Sequence, residues 1–310
     1  MYKTFYGFSR NPFEITPDPA FFYGTSHHNE ALASLYHGID RRKGFIVVTG
    51  EVGTGKTLLV RCLFRTLRWR KISFAYVFNP LLSVMEFLQY SANDMGIPAV
   101  SKTKGELLGQ FNRFLISQFR RKSTAVLIVD EAQLLTWELL EEIRLLTNLE
   151  TEQQKLLQII LVGQPELDKK LECQELRQLK QRVALRCRLE PLSREETHKY
   201  IALRLWQAGA KERCRQIFPE NTCELIYCYS GGIPRLINAI CESALVASFA
   251  LQNHTVPPEL IDEAAAEFCL TPSHSVSTIK RHEPANLRCL ELPKPFNQSS
   301  SAARKDQHNS

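Results

Sequence analysis

One octapeptide of the chain combines three glycines with a lysine and a threonine. Residues 50–57 read GEVGTGKT and match the pattern G-x-x-x-x-G-K-[ST] at every fixed position. The glycines let the backbone turn sharply and approach an anion without Cβ clashes, so that successive amide N–H groups point inward at the start of a helix. Lys56 is placed to neutralise β- and γ-phosphate oxygens, and the Thr57 hydroxyl to ligate Mg²⁺. We expect the whole loop to hold a nucleoside triphosphate: Gly50, Glu51, Val52, Gly53, Thr54, Gly55, Lys56 and Thr57.

Two carboxylates follow the apolar run of AVLIVDEAQ, residues 125–133. If this run is a strand beside the phosphate loop, Asp130 can hold the Mg²⁺ shell. Glu131 can then accept a proton from a water that attacks the γ-phosphate. The alternative is an acidic pair that opens a solvent-exposed loop, and the nearby phosphate motif favours the first interpretation.

Three further polar side chains are candidates for the same site. Gln164 follows the apolar run IILVG and could reach the attacking water or the γ-phosphate; the alternative is a turn residue before a proline. Arg182 precedes another apolar run and could enter a neighbouring subunit's site as an arginine finger; the alternative is one cation of a solvated basic face. Arg235 follows Gly-Gly-Ile-Pro, where Pro234 suits a first helical turn, and could face the phosphates.

Five short apolar runs, separated by helical patterns, must position these side chains. Four runs are nearly continuous, as in strands covered on both faces of a parallel sheet, and the fifth alternates like an edge strand. The pairs Ser83 with Glu86, Thr103 with Glu106, and Ser193 with Glu196 fit the S/T-x-x-E helix start. The alternation predicts an α/β doubly wound domain. The five runs are 45–49, 72–78, 125–129, 156–162 and 184–189.

The two ends of the chain differ from this middle part. Residues 1–30 are rich in aromatics, proline and glycine and predict an ordered, non-helical entry segment. After residue 190 the pattern predicts only helices, at 194–208, 220–230, 234–251 and 258–268, followed by a polar, disordered tail. The predicted divisions are an entry segment with a first helix, a core, a helical lid domain and a tail, at 1–43, 44–190, 191–270 and 271–310.

Composition excludes several classes of protein. The chain has 310 residues, 44% of them hydrophobic, and a formal net charge of +6, so it can bury a core and is neither collagen-like nor globally disordered. The mild basicity suits a nucleic acid, a membrane surface or another polyanion without choosing among them. Nine irregularly spaced cysteines without C-x-x-C favour reduced thiols over disulfides or zinc. Without a membrane-spanning run or an apolar leader, we expect a cytoplasmic protein.

Together these segments resemble the AAA+ ATPases, and within them the general secretion pathway protein A family. The resemblance covers about residues 1–270. It implies ATP and Mg²⁺ as cofactors and a P-loop NTPase fold, with a five-stranded parallel sheet and a small all-helical lid domain. It rests on YGFSRNPFEITPDPAFFYGTSHHNEAL, GEVGTGKT, VDEAQ, LEEIRLLTNLE, LLQIILVGQPEL, ELRQLKQRVALRCRLEPLSREET and GGIPR.

The resemblance also assigns roles. It makes residues 50–57 the Walker A loop, with Asp130 and Glu131 as the Walker B pair. Gln164 would be sensor 1, where many AAA+ proteins have Asn, Ser or Thr, and Arg235 would be sensor 2. Arg182 is preferred over Arg177 as the finger, and the entry segment is expected to pack near the adenine. Long members of the family continue into a membrane helix and a peptidoglycan-binding domain, whereas the polar tail here predicts a short form.

Three functions are compatible with these residues. The leading one is an oligomeric ATPase motor or switch that serves a cell-envelope assembly of the secretion, pilus or exopolysaccharide kind. It would lie in the cytoplasm, or at the inner membrane through an unidentified protein partner. The second is a DNA-binding ATPase of the transposition-regulator type, supported by basic runs at 41–43, 61–71 and 120–122. The third is a nucleotide-gated scaffold with little turnover.

Overall fold

The protein is described by a computed structural model over residues 2–68, 70–98 and 103–272. Its β strands lie close to the five predicted apolar runs. They are β1 Phe45–Gly50, β2 Ile72–Val77, β3 Thr124–Val129, β4 Leu157–Gly163 and β5 Leu185–Leu189.

The five strands form one parallel sheet in the order β2-β3-β4-β1-β5. Register partners include Thr49 with Gly163 and Val77 with Val129. Because all strands run the same way, their carboxyl ends meet at one edge of the sheet. The phosphate loop, the acidic pair and Gln164 each follow a strand at this edge.

The sequence predicts four strands buried on both faces of the sheet and a fifth that alternates. This prediction is correct for most of the sheet and wrong for β2. Every residue of β1 and β4 is buried, and β5 alternates at one edge as predicted. β2 is the other outer strand, and Phe74 at its centre is 46% exposed. The partly exposed Phe74 still has an apolar partner, because its ring packs against the ring of Phe64 with the ring centroids 4.6 Å apart.

Helices fill the intervals between the strands and the rest of the described chain. Ser83 and Ser193 each complete a capping box with Glu86 and Glu196, whereas Thr103 caps its helix from one side only. The helices are α1 Tyr2–Tyr6, α2 Ser26–Asp40, α3 Lys56–Leu67, α4 Val84–Asp94, α5 Lys104–Arg120, α6 Trp137–Leu146, α7 Pro165–Glu172, α8 Arg177–Lys180, α9 Arg194–Ala208, α10 Cys214–Ile217, α11 Glu220–Ser230, α12 Pro234–Ala250 and α13 Pro258–Glu267.

The helical prediction after residue 190 agrees with α9, α11, α12 and α13 and misses the short α10 together with the 3₁₀ turn Lys211–Arg213 before it. The non-helical prediction for residues 1–30 is wrong at both ends of that segment. The first residues form α1, and α2 begins at Ser26, where the Thr25 side chain accepts a hydrogen bond from the His28 backbone. Thr25 therefore supplies the cap that starts this helix.

Three apolar clusters hold these elements together. Successive strand residues point to opposite faces of the sheet, so Leu127 joins the cluster under α4–α8 and Ile128 joins the one under α2 and α3. The third cluster lies among α9–α13, and it includes the entry-segment aromatics Tyr6, Phe8 and Phe13.

The tail predicted at 271–310 lies almost entirely outside the described residues. Only residues 271 and 272 of it are among them. In the described part of the chain, no helix is long and apolar enough to cross a bilayer. The eight cysteines found there are free thiols.

Candidate functional site

The phosphate loop connects the end of β1 to the start of α3. Gly53 and Gly55 have φ angles of 84° and 98°, a left-handed backbone that side chains with a Cβ rarely adopt. Gly50 meets a different constraint, because a Cβ there would lie 2.8 Å from the Leu189 carbonyl oxygen. Thr54 is fully buried and donates to the Glu51 carbonyl at 2.8 Å. The loop therefore has the compact, glycine-dependent shape that backbone coordination of phosphate requires.

Lys56 extends its ammonium group back across this loop. Nζ donates to the carbonyl oxygens of Gly50 at 2.8 Å and Glu51 at 2.9 Å, and the residue is only 7% exposed. Burial lowers the pKa of Lys56, while the carboxylates of Glu131 and Asp130 act in the opposite direction. A buried ammonium held by two neutral carbonyls is poised to exchange them for anionic phosphate oxygens, which form stronger hydrogen bonds.

The two candidate magnesium ligands, Thr57 and Asp130, are in direct contact. The Thr57 hydroxyl donates to Asp130 Oδ2 at 3.0 Å, and the Tyr76 hydroxyl donates to the same oxygen at 2.7 Å. Burial, together with the bond to Asp130, raises the pKa of Tyr76. Sequence reasoning missed Tyr76, whose signal was a hydroxyl group near the end of a mostly apolar strand.

Glu131 is held by two glutamine side chains. Gln133 Nε2 donates to Glu131 Oε2 at 2.6 Å, and Gln164 Nε2 donates to the same oxygen at 3.2 Å. Glu131 itself has a φ of 52°, a left-handed conformation that is uncommon for a residue with a side chain. The sequence singled out Glu131 and Gln164, which the fold brings into contact, but it gave no role to Gln133.

The helices α9–α13 form a helical cluster, and Arg235 of α12 lies where this cluster contacts the phosphate loop. Its backbone N–H donates to the Gly53 carbonyl at 3.3 Å, and a Cβ on Gly53 would lie 2.7 Å from Arg235 Cβ. Pro234 occupies the first turn of α12, as expected. The Arg235 side chain is exposed, so it can move toward a ligand on the loop.

Arg182 lies away from this edge of the sheet. It precedes β5, whose first residue, Leu185, is the register partner of Ile46. The four residue-to-residue steps from Ile46 to Gly50 span about 13 Å of strand, so Arg182 lies toward the opposite edge from its own phosphate loop. Its Nη1 donates to Thr147 Oγ1 at 2.6 Å. Arg177 is exposed at the start of α8.

His28 contacts the phosphate loop from the entry segment. Its Nε2 lies 3.1 Å from the Thr54 carbonyl oxygen, and its Nδ1 lies 2.7 Å from Thr25 Oγ1. The carbonyl can only accept, so Nε2 carries the proton and Nδ1 accepts from the Thr25 hydroxyl. Burial lowers the pKa of His28. The sequence placed His28 only within the entry segment that is expected to pack near the adenine.

The donor set suits a nucleotide-borne magnesium ion. Within the described residues, no group of three or more His, Cys, Asp or Glu side chains could hold a metal ion alone. Mg²⁺ commonly binds one or two protein oxygens and takes the rest of its shell from phosphate and water. The Thr57 hydroxyl and the Asp130 carboxylate fit that role, and the glycine-bearing loop fits the phosphates.

Comparison with known proteins identifies the same region. A family described as AAA domain matches residues 39–171. General secretion pathway protein A of Aeromonas hydrophila is 41% identical over 268 residues, which are 86% of this chain and 48% of that protein. The chain thus spans about half the length of this curated relative.

Solved structures share the fold at low sequence identity. The Aeropyrum pernix ORC2 protein, in its ADPNP–ADP complexes, aligns with a TM-score of 0.63 and 17% identity over 84% of this chain and 72% of that one. The Thermotoga maritima RuvB Holliday junction branch migration motor aligns with a TM-score of 0.54 and 12% identity over 82% and 73%. The five-stranded parallel P-loop fold expected from the sequence is thereby confirmed. Residues 39–171 thus contain an AAA domain, and over 268 residues the chain is similar to general secretion pathway protein A.

Proposed function

We propose that the chain binds ATP with Mg²⁺ and hydrolyses it. The contact between the Thr57 hydroxyl and the Asp130 carboxylate, beside Glu131, is the observation that carries this proposal. In P-loop NTPases a hydroxyl and a carboxylate of this kind hold the Mg²⁺ that bridges β- and γ-phosphate oxygens. The bound ion would neutralise charge that develops on those oxygens.

The other residues have distinct roles in this proposal. Lys56 leaves its two carbonyl partners and neutralises phosphate oxygens. Glu131 accepts the proton of the attacking water, and Gln164 orients that water or the γ-phosphate. Arg235 approaches the phosphates from α12.

Two substitutions separate binding from turnover. Lys56→Ala should abolish nucleotide binding, whereas Glu131→Gln should bind ATP and lose turnover by about 10²–10⁴-fold. Lys169→Ala and Glu138→Gln are matched controls, because both residues are exposed on neighbouring helices. Undiminished hydrolysis in Glu131→Gln would remove Glu131 from the role of base.

We further propose that the active form is an oligomer in which Arg182 enters a neighbouring subunit's site. Its position before β5, away from its own phosphate loop, supports action in trans. The relative's name, general secretion pathway protein A, supports service to a cell-envelope assembly. Light scattering with and without ATP measures the mass of the particle and tests whether an oligomer forms. Copurification of an envelope component tests the proposed service to a cell-envelope assembly.

A second candidate function, duplex DNA binding, is favoured by the gathering of three basic runs. Arg42 Nη2 donates to the Ser123 carbonyl at 2.8 Å, and Ser123 Oγ donates to the Lys71 carbonyl at 2.9 Å. These contacts join the turns that precede β1, β3 and β2, at the amino edge of the sheet. Each turn carries exposed cations, among them Arg41, Lys71 and Arg121.

Phosphate contacts from this surface would make affinity fall steeply as salt rises. The test is a binding isotherm on duplex DNA at two salt concentrations, with the double variant Arg120→Glu/Arg121→Glu. The control is Lys211→Glu/Arg215→Glu, which alters the same charge at exposed positions of the helical cluster. Absence of binding at low salt would exclude this function. Tight ATP binding without measurable turnover would instead favour a nucleotide-gated scaffold.

A further inference from the structure

Gln133 bridges Glu131 and the end of β4 with both ends of its amide. Its Nε2 donates to Glu131 Oε2 at 2.6 Å, and its Oε1 accepts from the Gln164 backbone N–H at 3.0 Å. The opposite amide orientation would set oxygen against carboxylate and nitrogen against a donor. The two contacts therefore fix how this amide is turned.

Both hydrogen bonds to the Glu131 carboxylate reach one oxygen. Gln133 and Gln164 each donate to Oε2, and no hydrogen bond within the described residues reaches Oε1. A flexible carboxylate is thus anchored at one oxygen while the other is left available. This asymmetry is what a base needs, because one oxygen can be held while the other meets a water.

The fold also holds Gln133 from two other directions. Lys170 Nζ, on α7, donates to the backbone carbonyls of Gln133 at 3.0 Å and Leu135 at 2.6 Å. Gly163, the last residue of β4, leaves the room that the amide occupies. A Cβ there would lie 2.9 Å from Gln133 Oε1 and 3.2 Å from its backbone nitrogen.

We infer that Gln133 is a positioning residue for ATP hydrolysis. It fixes the Glu131 carboxylate with Oε1 available to the attacking water, and it ties that orientation to Gln164 at the end of β4. This inference rests on the proposed function, since it requires Glu131 to act as the base. Gln133 itself touches neither nucleotide nor water in this role.

Gln133→Leu removes both amide contacts at similar side-chain size. We expect kcat to fall about tenfold to hundredfold, since a small misplacement of a catalytic group has that effect. The KM for ATP and the midpoint of thermal unfolding should stay near the wild-type values. A fall in ATP affinity equal to the fall in kcat would mean that Gln133 shapes the phosphate site instead and would overturn the inference.

Gly163→Ala tests the same contact from the opposite strand. Its added Cβ should displace the Gln133 amide and reproduce the kcat defect of Gln133→Leu. The control Gly109→Ala lies on α5, where the added Cβ meets only Arg113 Nη1, at 3.6 Å, and should leave kcat unchanged. A wild-type kcat in Gly163→Ala together with wild-type kcat in Gln133→Leu would refute the positioning role.

Combining Gln133→Leu with Glu131→Gln distinguishes positioning from general structural support. If Gln133 acts through the Glu131 carboxylate, adding Gln133→Leu to Glu131→Gln should change the residual single-turnover hydrolysis by less than about twofold. The reason is that the effects of residues that act as a unit are not additive. An undiminished tenfold or greater defect there would show an independent role. If Glu131→Gln alone leaves turnover unchanged, the proposed function fails. A strong Glu131→Gln defect beside a normal Gln133→Leu variant rejects this inference alone.

Discussion

Tyr76 shares one oxygen of Asp130 with Thr57, and we expect the Tyr76 bond to orient this carboxylate at the proposed magnesium site. A bound Mg²⁺ would take the Thr57 hydroxyl oxygen as a ligand, so that the Tyr76 hydroxyl remains to orient the carboxylate. Groups that orient metal ligands commonly change metal affinity by about 10–100-fold when they are removed.

Tyr76→Phe deletes only the hydroxyl that donates to Asp130. We expect the Mg²⁺ concentration for half-maximal ATP turnover to rise about tenfold, measured by titrating Mg²⁺ at fixed ATP. Tyr229→Phe is the matched control, because the Tyr229 hydroxyl also donates to a carboxylate, at Asp262, on the helical cluster. Equal Mg²⁺ requirements in Tyr76→Phe and wild type would show that this bond does not support the metal site.

His28 gives the stability of the protein a pH dependence that can be tested. Burial lowers the pKa of His28 in the folded state below its usual value. The unfolded chain therefore binds more protons as the pH falls below about 6.5, and the free energy of unfolding decreases. Burial shifts the pKa of His198 in the same direction, so the wild-type dependence contains both contributions.

His28→Gln should flatten part of this dependence between about pH 7 and pH 5. Urea unfolding at several pH values measures the change. His37→Gln, at an exposed position of the same helix, should retain the wild-type slope. If the free energy of unfolding of His28→Gln changed with pH as steeply as that of wild type, the lowered pKa of the buried His28 ring would be contradicted.

Sequence spacing predicted the candidate site residues that lie together in the chain, and Gln164 from its place after an apolar run, but it missed Tyr76 and Gln133. The octapeptide at 50–57 and the pair at 130–131 are contiguous, so their chemistry is visible without a fold. Tyr76 meets Asp130 only because β2 pairs with β3, and Gln133 meets Gln164 only because β3 pairs with β4. No spacing within one segment contains that information.

At the scale of elements, the approach of Leu192 to Gly232 holds the segment before α9 against the turn before α12. Leu192 N–H donates to the Gly232 carbonyl at 2.8 Å, and a Cβ on Gly232 would lie 1.9 Å from the Leu192 carbonyl oxygen. Gly232 has a φ of 75°. Substitution there combines backbone strain with a collision against another backbone segment.

Gly96→Ala isolates the strain from the collision. Gly96 has a φ of 80°, but a Cβ there meets nothing within 4 Å, so we expect a loss of about 1 kcal/mol from left-handed strain alone. Gly232→Ala should lose about 1–3 kcal/mol more because of the collision. Denaturant unfolding measures both variants, and equal losses would contradict the close approach.

Element boundaries were predictable wherever local pattern and tertiary packing agree. The capping residues and apolar periodicity of α4 and α9 are local signals, and both helices begin where those signals predict. The five-residue α1 is too short to be stable by itself. Tertiary contacts support it instead, including the Tyr2 hydroxyl on the Glu242 carboxylate at 2.7 Å, and no local pattern reveals such a contact.

At the scale of the whole molecule, the position of Arg182 bears on how copies of the chain would work together. An arginine finger acting in trans makes each site depend on two subunits. Arg182→Ala and Glu131→Gln would then be inactive for different reasons, because one lacks the finger and the other lacks the base. In a mixed oligomer, an intact base can meet an intact finger.

Mixing the two inactive variants should therefore restore measurable ATP turnover. Each inactive variant assayed alone supplies the baseline, and Arg177→Ala, which changes the other candidate arginine, should keep its own activity. Steady-state hydrolysis against mixing ratio is the measurement. A mixture no more active than its components would contradict action of Arg182 in trans.

Calorimetric titration of ATP with Mg²⁺ into the full chain is the decisive experiment, because all of the proposed residue roles require a nucleotide bound at residues 50–57. We expect one saturable binding event per chain for the wild-type protein and for Lys169→Ala, and loss of that event in Lys56→Ala. No binding heat for the wild-type protein, confirmed by a second binding assay, or equal affinity in Lys56→Ala, would contradict this expectation.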